Sequence, residues 1–420
     1  GSRRSSESAA LAPRSPSTPR RHPSPSEMLA ARALCAGSLR RPTAARGSAW
    51  VAAPLRAAPH AVASSPERGP PAVIPHFRVS EDAVPASAFT IDCSSYGPRA
   101  EPCAELAARM RDTYAEHGVV LLRNTGLTDI THMKNHAGTL VQQEMKYEGG
   151  ANPREGILGN VYEVGAPHDA WLHYHHEMAY NQFSMRNVAF LSLKAAAPGR
   201  GDSYLSENVR VTDELLDSKF GRKLKEKGVC YIRCLTDREA YAGEGWRQNK
   251  PVYNHWQMSF GVETTDEAEA KAADCGLSTE WVTDPLKEDS KRYLRTKLVT
   301  DAFEYCPDID RNVLFSSIAD HGMWFDTWQG MSGIPLEKRP LSMTFGDGTP
   351  FTLDELRQWV HAYDKAGIRV RWQVGDVLAF CNYRYAHGRP AFDLQKWEER
   401  EIGVILGEKF QRVGALSDRW

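Results

Sequence analysis

The chain lacks a long apolar run: no hydrophobic segment in its 420 residues is long enough to cross a bilayer. It also lacks a net charge of either sign, because 52 basic residues are balanced by 53 acidic ones. Hydrophobic residues make up 41% of the chain, enough for a sizeable core. The sequence therefore predicts a globular protein without integral membrane association, and its charge balance gives no reason to expect a nucleic-acid partner.

Paired cysteine motifs are missing as well. The eight cysteines are scattered, none forms a Cys-x-x-Cys motif, and the nearest pair is Cys230 and Cys234. In a chain of this length the pattern does not indicate a disulfide framework. We expect reduced, buried thiols in an intracellular compartment.

The first 75 residues have a different composition from the rest. Between Met28 and Ser65 there is no Asp, Glu or Lys but there are five Arg, with abundant Ala, Ser and Pro. This is typical of an organelle transit peptide, with Met28 as the native start and a folded domain over residues 76–420. A generic disordered tail is the alternative. If the leader addresses a plastid, which we favour over a mitochondrion, a pigment or another plastid metabolite becomes a candidate substrate.

A metal-ligand pattern begins in residues 171–180, which read Trp-Leu-His-Tyr-His-His-Glu-Met-Ala-Tyr. His175 and Glu177 are two apart, and on a β-strand such residues project from the same face, so both could bind one metal ion. The segment is rich in aromatic residues, which favours a strand. His173 would share that face, and it remains an alternative ligand.

The remaining members of the pattern lie far along the chain. His387 follows an apolar segment, residues 376–381, and Arg400 precedes another, residues 401–406. Two imidazoles and one carboxylate on one face of an octahedron form the facial triad of mononuclear non-haem Fe(II) sites. Arg400 would bind a carboxylate in bidentate geometry. A hydrogen-bonded rim around His387 is the alternative interpretation.

From about residue 76 to residue 415 the sequence resembles the taurine dioxygenase-like branch of Fe(II)/2-oxoglutarate dioxygenases, and within it the clavaminate synthase-like proteins of plants and algae. The resemblance rests on the motif residues His175, Glu177, His387 and Arg400 and on further matching segments in the same order. These are residues 228–233 (Gly-Val-Cys-Tyr-Ile-Arg), 244–246 (Glu-Gly-Trp), 344–348 (Thr-Phe-Gly-Asp-Gly), 372–376 (Trp-Gln-Val-Gly-Asp) and 387–389 (His-Gly-Arg).

The resemblance implies roles for individual residues. His175, Glu177 and His387 would bind iron, and Arg400 would bind the distal carboxylate of 2-oxoglutarate. Ser203, in the turn Gly-Arg-Gly-Asp-Ser, would share that carboxylate or serve as a plain turn residue.

It also implies a chemistry. Arg389 is a second anion binder, although in this family it more often braces the site. A Glu ligand, in place of the commoner Asp, agrees with the clavaminate synthase-like branch and argues against halogenase chemistry. Fe(II), 2-oxoglutarate and O₂ would together oxidise a C–H bond of a small molecule and release succinate and CO₂. Hydroxylation is the default outcome, with desaturation or ring closure open.

The expected fold is α+β: a double-stranded β-helix, also called a jelly roll and similar to cupins, with flanking helices and a helical insertion near the site. Leu106, Met110 and Tyr114 repeat every four residues and predict an early helix that Gly118 closes. Thr-x-x-Glu patterns at Thr264 and Thr352 predict the starts of two helices in the insertion.

The substrate is weakly indicated. Four side chains near the predicted iron site could line an apolar or aromatic pocket or be simple core residues: Tyr162, Met178, Tyr180 and Trp324. Two other functions stay open. One is a binding or regulatory protein that keeps the fold without turnover, and the other is a cupin-type metalloenzyme that does not use 2-oxoglutarate. Arg400 argues against the second. The sequence does not indicate an oligomeric state.

Overall fold

A computed structural model describes residues 77–147, 154, 156–164, 168–239, 255–283, 292–323 and 339–420. Residues 69–420 form one compact unit. The predicted leader, residues 1–75, lies outside the described residues. Among the described residues, every helix is too short or too polar to cross a membrane.

Seventeen strands and seven α-helices are present in the described part of the chain. The strands are β1 (Thr90–Asp92), β2 (Val119–Arg123), β3 (Gly156–Leu158), β4 (Val161–Glu163), β5 (Leu172–His175), β6 (Phe183–Lys194), β7 (Ser203–Glu207), β8 (Val229–Leu235), β9 (Ser278–Thr283), β10 (Arg292–Thr300), β11 (Phe303–Cys306), β12 (Arg311–Leu314), β13 (Leu341–Phe345), β14 (Gly367–Val370), β15 (Val377–Cys381), β16 (Tyr385–Arg389) and β17 (Glu401–Gln411). The helices are α1 (Ala104–His117), α2 (Ile130–Ala137), α3 (Asn208–Leu216), α4 (Lys219–Lys227), α5 (Trp256–Phe260), α6 (Thr265–Asp274) and α7 (Leu353–Asp364).

Two sheets carry the predicted iron ligands and their surroundings. A seven-stranded sheet has the order β1-β2-β15-β6-β17-β4-β3, and a four-stranded sheet has the order β14-β7-β16-β5. Only β1 and β2 pair in parallel within these two sheets. The chain alternates between the sheets from β5 to β7 and again from β14 to β17. The protein is therefore of mixed α/β type with extensive antiparallel sheet.

Side chains from both sheets belong to one buried cluster. Phe190 and Phe380 come from the seven-stranded sheet, whereas Tyr174 and Leu205 come from the four-stranded sheet. Alternate residues of a strand face opposite sides of its sheet, so each strand contributes to this core with one side. The core fixes the relative position of the two sheets.

Helix α1 agrees with its predicted apolar repeat and its predicted end. Leu106 and Met110 are buried along one face. Gly118 follows the helix with φ 71°, a left-handed conformation that glycine adopts without a steric penalty, and its N–H donates to the carbonyl of Tyr114. The chain then enters β2 at the predicted position.

The insertion differs from the prediction. Both predicted capping boxes are present, at Thr264 with Glu267 and at Thr352 with Glu355. However, the same part of the chain also forms a second four-stranded sheet with the order β13-β8-β10-β9. The expectation of a helical insertion was therefore incomplete. Strand β10 reads Arg-Tyr-Leu-Arg-Thr-Lys-Leu-Val-Thr, a sequence in which charged residues interrupt the apolar alternation that indicates a strand.

Candidate metal and co-substrate site

His175 and His387 lie opposite each other on neighbouring strands. The antiparallel register of β5 and β16 pairs the two residues directly, and their ring centroids are 4.1 Å apart. The ring of His387 also packs against Phe190 and Phe380, at centroid distances of 5.3 and 5.4 Å. Cross-strand pairing thus brings two residues together that are far apart in sequence.

Glu177 completes the group, but not from a strand. Strand β5 ends at His175, and Glu177 lies in the turn that follows. The prediction that both residues share one strand face was wrong. The turn bends sharply, because Met178 adopts φ 55°, a left-handed conformation that is uncommon for a non-glycine residue. Even so, ligand atoms of His175, Glu177 and His387 all lie within 4.8 Å of one another.

The main chain of Glu177 is held by Asn382, a fully buried residue in the turn between β15 and β16. The Glu177 N–H donates to Asn382 Oδ1 at 2.9 Å, and Asn382 Nδ2 donates to the Glu177 carbonyl at 3.1 Å. Nδ2 also donates to the carbonyl of Met185 at 3.0 Å, and the Ser184 hydroxyl donates to the Glu177 carbonyl at 2.8 Å. Asn382 therefore fixes the turn that presents the carboxylate.

Both histidines can offer a ring nitrogen to a metal. His175 Nδ1 lies 2.9 Å from the carbonyl of His173, which can only accept, so Nδ1 donates to it and Nε2 is the ring nitrogen that remains for a metal. Burial lowers the pKa of His387 well below its usual value, and His175 and Arg154 act in the same direction. Neutral imidazoles are the form that binds metal ions.

His173 lies outside this group. Its ring stacks on Phe77 at 6.4 Å, and burial lowers its pKa to about 3. The buried group of His175, Glu177 and His387 holds no atom of His173. The arrangement favours the first choice of ligands over the alternative.

Arg154, a residue that the sequence analysis missed, contacts the same carboxylate. Its Nη2 lies 2.9 and 3.0 Å from the two carboxylate oxygens of Glu177. His387 Nε2 lies 3.8 Å from Glu177 Oε2. No local sequence pattern distinguishes Arg154 from a surface arginine.

Arg400 lies at the start of β17 and points its guanidinium against the glycine turn before β7. Its Nε donates to the carbonyl of Gly201 at 2.8 Å. A Cβ atom at Gly201 would lie 2.5 Å from Arg400 Cδ, and Gly201 has φ 66°. Glycine is therefore required here for two reasons, backbone conformation and close approach. In the described part of the chain neither Nη group of Arg400 donates a hydrogen bond. Both are therefore available to donate to the two oxygens of a carboxylate.

Arg389, which is buried, lies near Arg400. The ring centroid of Phe392 is 4.9 Å from Arg389 Cζ and 5.6 Å from Arg400 Cζ. Burial lowers the pKa of Arg389 to about 9, with Arg400 adding to the effect, and burial lowers the pKa of Arg400 to about 10. Two desolvated cations side by side favour the binding of an anion. Arg389 also donates to the carbonyl of His168 at 3.0 Å, as a bracing residue would.

Ser203 is the first residue of β7, two residues after Gly201. Its hydroxyl accepts a hydrogen bond from Trp372 Nε1 at 3.0 Å. The residue of this turn that contacts Arg400 is Gly201 and not Ser203. The serine hydroxyl can still donate one hydrogen bond.

The predicted pocket residues divide into three cases. Met178 and Tyr180 are buried in the turn beyond Glu177. The hydroxyl of Tyr162 accepts from the N–H of Tyr147 at 3.1 Å, and the two rings are 5.9 Å apart. Trp324 lies outside the described residues.

Comparison with known proteins matches residues 94–404 to the family model described as "Taurine catabolism dioxygenase TauD, TfdA family". The chain belongs to this family. A clavaminate synthase-like protein of Arabidopsis thaliana is 26% identical over 280 residues, which cover 66% of this chain and 79% of that protein. The dapdiamide synthesis protein DdaC of Enterobacter agglomerans is 23% identical over 297 residues, covering 70% and 82%. The resemblance stated from the sequence is confirmed.

Solved structures of similar proteins have low structural overlap with this chain. AAD-2 in complex with Mn(II) and N-oxalylglycine gives a TM-score of 0.43 at 11% identity, covering 81% of this chain and 99% of that one. PvcB from Pseudomonas aeruginosa gives 0.43 at 13% identity, covering 84% and 98%. These values add nothing to the family assignment.

The residues present fit the cofactors that the family assignment supports, which are Fe(II), 2-oxoglutarate and O₂. Two imidazoles and one carboxylate converge, as an Fe(II) facial triad requires. The Nη groups of Arg400, which make no hydrogen bond among the described residues, and the neighbouring Arg389 suit the carboxylate of 2-oxoglutarate. This donor set is more suitable for iron than for a structural zinc ion, which prefers four ligands rich in cysteine.

Proposed function

We propose that the protein is an Fe(II)- and 2-oxoglutarate-dependent oxygenase that oxidises a C–H bond of a small-molecule metabolite. The observation that carries the proposal is the convergence of His175, Glu177 and His387 within 4.8 Å, in a chain that belongs to a dioxygenase family. When bound, the iron with 2-oxoglutarate and O₂ supplies the oxidant and releases succinate and CO₂. The protein supplies orientation and excludes water.

The chain's own residues have separate tasks in this proposal. His175, Glu177 and His387 hold the metal, and the fork of Arg400 holds the far carboxylate of 2-oxoglutarate. Arg389 braces the loop around His168 and adds positive charge. Hydroxylation is the expected outcome, with desaturation or cyclisation as further outcomes for the same site.

The expected double-stranded β-helix is supported by the path of the chain. From β5 to β7 and from β14 to β17 successive strands alternate between the seven-stranded and the four-stranded sheet. Such alternation of antiparallel strands between two facing sheets is what a jelly roll requires. We infer that these two sheets are its two halves.

The test of the proposed function uses metal and co-substrate binding together with turnover. Replacement of His175, Glu177 or His387 by Ala should abolish iron binding and 2-oxoglutarate-dependent succinate release, because two ligands cannot hold the facial geometry. His173→Ala is the matched control on the same strand and should keep most of both. Iron binding that survives His175→Ala but not His173→Ala would show that the ligand assignment is wrong.

We further propose that residues 28–75 address the protein to an organelle, with a plastid favoured. The support is compositional, five Arg and no acidic residue or Lys between Met28 and Ser65. These residues fused to a fluorescent reporter should carry it into a plastid of a plant or algal host. Reporter that stays in the cytosol would refute the targeting proposal. A chain starting at Val73 should keep iron and 2-oxoglutarate binding.

A further inference from the structure

Arg154 is the feature that the proposed function leaves unexplained. One nitrogen, Nη2, binds both oxygens of the metal ligand Glu177. The guanidinium carbon lies 4.4 Å from the ring centroid of Tyr147. The side chain is 11% exposed. Its second terminal nitrogen, Nη1, is buried and has no hydrogen-bond partner within the part of the chain that the structure describes. A buried cationic donor without an acceptor is costly, so an acceptor is expected there.

Iron loading makes this cost larger. In the arrangement described, Arg154 and Glu177 neutralise each other. With iron bound, the charges of Glu177 and 2-oxoglutarate together would outweigh the two charges of Fe(II) by one, and Arg400 would cancel that remainder. The neighbouring Arg389 has Asp169 as its own nearby anion. The charge of Arg154 is then uncompensated, and an unpaired charge in a buried site is strongly unfavourable.

Within the described part of the chain, Glu177 is the only carboxylate that contacts Arg154. The nearby Tyr147 and Tyr180 are held as neutral phenols, because burial raises the pKa of both hydroxyls. Asp320, an acidic residue near Tyr180, pairs with Arg233 at 3.1 Å. Arg233 in turn lies 3.3 Å from the ring centroid of Tyr180. Arg233 therefore has a carboxylate partner of its own, whereas the described partner of Arg154 is the proposed metal ligand Glu177.

We propose that Arg154 binds a carboxylate of the organic substrate, so that the substrate is an organic acid oxidised at a C–H bond near that carboxylate. This inference rests on the proposed function. Glu177 contacts the Arg154 guanidinium only through Nη2, so Nη1 is the donor that remains for a substrate carboxylate. Hydrogen bonds from a guanidinium to a carboxylate are strengthened by the charges on both groups. Tyr147 and Tyr180 are aromatic side chains near Arg154, so aromatic acids are suitable probes.

The test uses Mn(II) in place of iron, with saturating 2-oxoglutarate, so that binding is measured without turnover. The probes are benzoate, phenylacetate and 3-phenylpropanoate, each compared with its own primary amide. Paramagnetic relaxation of the probe protons by Mn(II) reports binding beside the metal. In the wild-type protein at least one acid should bind about tenfold or more tightly than its amide, a difference of about 1.4 kcal/mol.

Variants assign the preference to Arg154. Arg154→Gln should remove the preference for the acid, and Arg154→Lys should restore part of it. Arg357→Gln is the matched control, because Arg357 is an exposed arginine whose partner is Asp354 on the same helix. It should keep the preference in full. Retained Mn(II) and 2-oxoglutarate binding in Arg154→Gln would show that the variant is folded.

Two results would overturn the inference. One is equal binding of every acid and its amide by the wild-type protein. The other is a preference for the acid that persists in Arg154→Gln. If Arg154 serves only to position Glu177, its removal should lower Mn(II) affinity and leave the acid-to-amide ratio unchanged. Failure of wild-type protein to bind Mn(II) and 2-oxoglutarate together would instead count against the proposed function itself.

Discussion

Replacement of Asn382 by Ala should weaken the metal site without touching a metal ligand. The buried amide makes two hydrogen bonds to the main chain of Glu177 and one to the carbonyl of Met185, with longer contacts from Nδ2 to the Ser184 hydroxyl at 3.4 Å and to Met185 Sδ at 3.7 Å. Removing it leaves the Glu177 N–H without its acceptor, while the Glu177 carbonyl keeps the Ser184 hydroxyl. A buried polar group left unpaired costs about 1–3 kcal/mol. The expected loss in unfolding free energy is therefore about 1–3 kcal/mol.

The effect on metal binding should exceed what general destabilisation gives. Groups that orient a metal ligand typically contribute about 10- to 100-fold in affinity, and Asn382 fixes both sides of the Glu177 peptide. We therefore expect Mn(II) or Fe(II) affinity to fall by at least tenfold at temperatures where the variant is fully folded. The residue acts as a positioning residue, because it contacts the backbone of Glu177 and not the metal.

The assay combines urea unfolding with metal titration under anaerobic conditions. Asn135→Ala is the matched control, because Asn135 makes a single side-chain hydrogen bond, to the carbonyl of Ala100 at 3.1 Å, away from the site. It should change both quantities little. An Asn382→Ala protein that is destabilised but binds metal with wild-type affinity would refute the reasoning. The turn would then position Glu177 without the Asn382 hydrogen bonds.

Three further predictions concern the co-substrate and pH. Arg400→Gln should steeply raise the 2-oxoglutarate concentration needed for half-saturation, because loss of one partner of a buried charge pair costs about 2–5 kcal/mol. Anaerobic titration of the metal-to-ligand charge-transfer band measures this concentration. Unchanged affinity would show that Arg400 does not bind the 2-oxoglutarate carboxylate. Gly201→Ala should weaken 2-oxoglutarate binding in the same titration, because the new Cβ would displace Arg400. Gly199→Ala is the control and should leave binding unchanged. Gly199 also has a positive φ, but a Cβ there would lie 3.7 Å from its nearest neighbour, Arg369 Nη2. Burial raises the pKa of Asp364 to about 7, so the folded state binds this proton more tightly than the unfolded chain, and stability contributed by this group falls as pH rises from about 4 to about 7. Asp364→Asn should therefore be more stable than wild type at pH 8, by on the order of 2 kcal/mol, and the stability difference should be smaller at pH 5.5. Urea unfolding of both proteins at the two pH values measures it. The same stability difference at both pH values would contradict the prediction.

Local features of the fold could be predicted because they depend on neighbouring residues. The four-residue repeat of Leu106 and Met110 and the glycine at position 118 specify helix α1 within one segment. The capping boxes at Thr264 and Thr352 likewise need only residues three positions apart. Each pattern led to the correct element.

The turn at Glu177 could not be predicted in the same way. Alternation along residues 172–177 favours a strand throughout, but the chain leaves β5 after His175, where His176 Nδ1 meets the carbonyl of Ser316. Asn382 then holds the turn from 205 positions away. A tertiary contact of this kind overrides a local preference, and no spacing rule contains it.

Arg154 shows the same difficulty at the site itself. The role of Arg154 depends on its contacts with Glu177 and Tyr147, which the fold brings close to it. The proposed metal ligands could be named from the sequence because the chemistry of the facial triad fixes their residue types. The residues that orient or compensate them have no such fixed type, and only the three-dimensional arrangement identifies them.

The pairing of β5 with β16 also bears on when, during the life of the polypeptide, the proposed iron site can form. The two histidines sit 212 positions apart (387 − 175), and the Asn382 contact with Glu177 spans almost the same stretch of chain. Contacts between such distant residues form late in folding, because a long loop must be closed first. On the proposed ligand assignment, a nascent chain that has not yet produced β16 offers only two of the three ligands. Iron binding would then follow synthesis of β16.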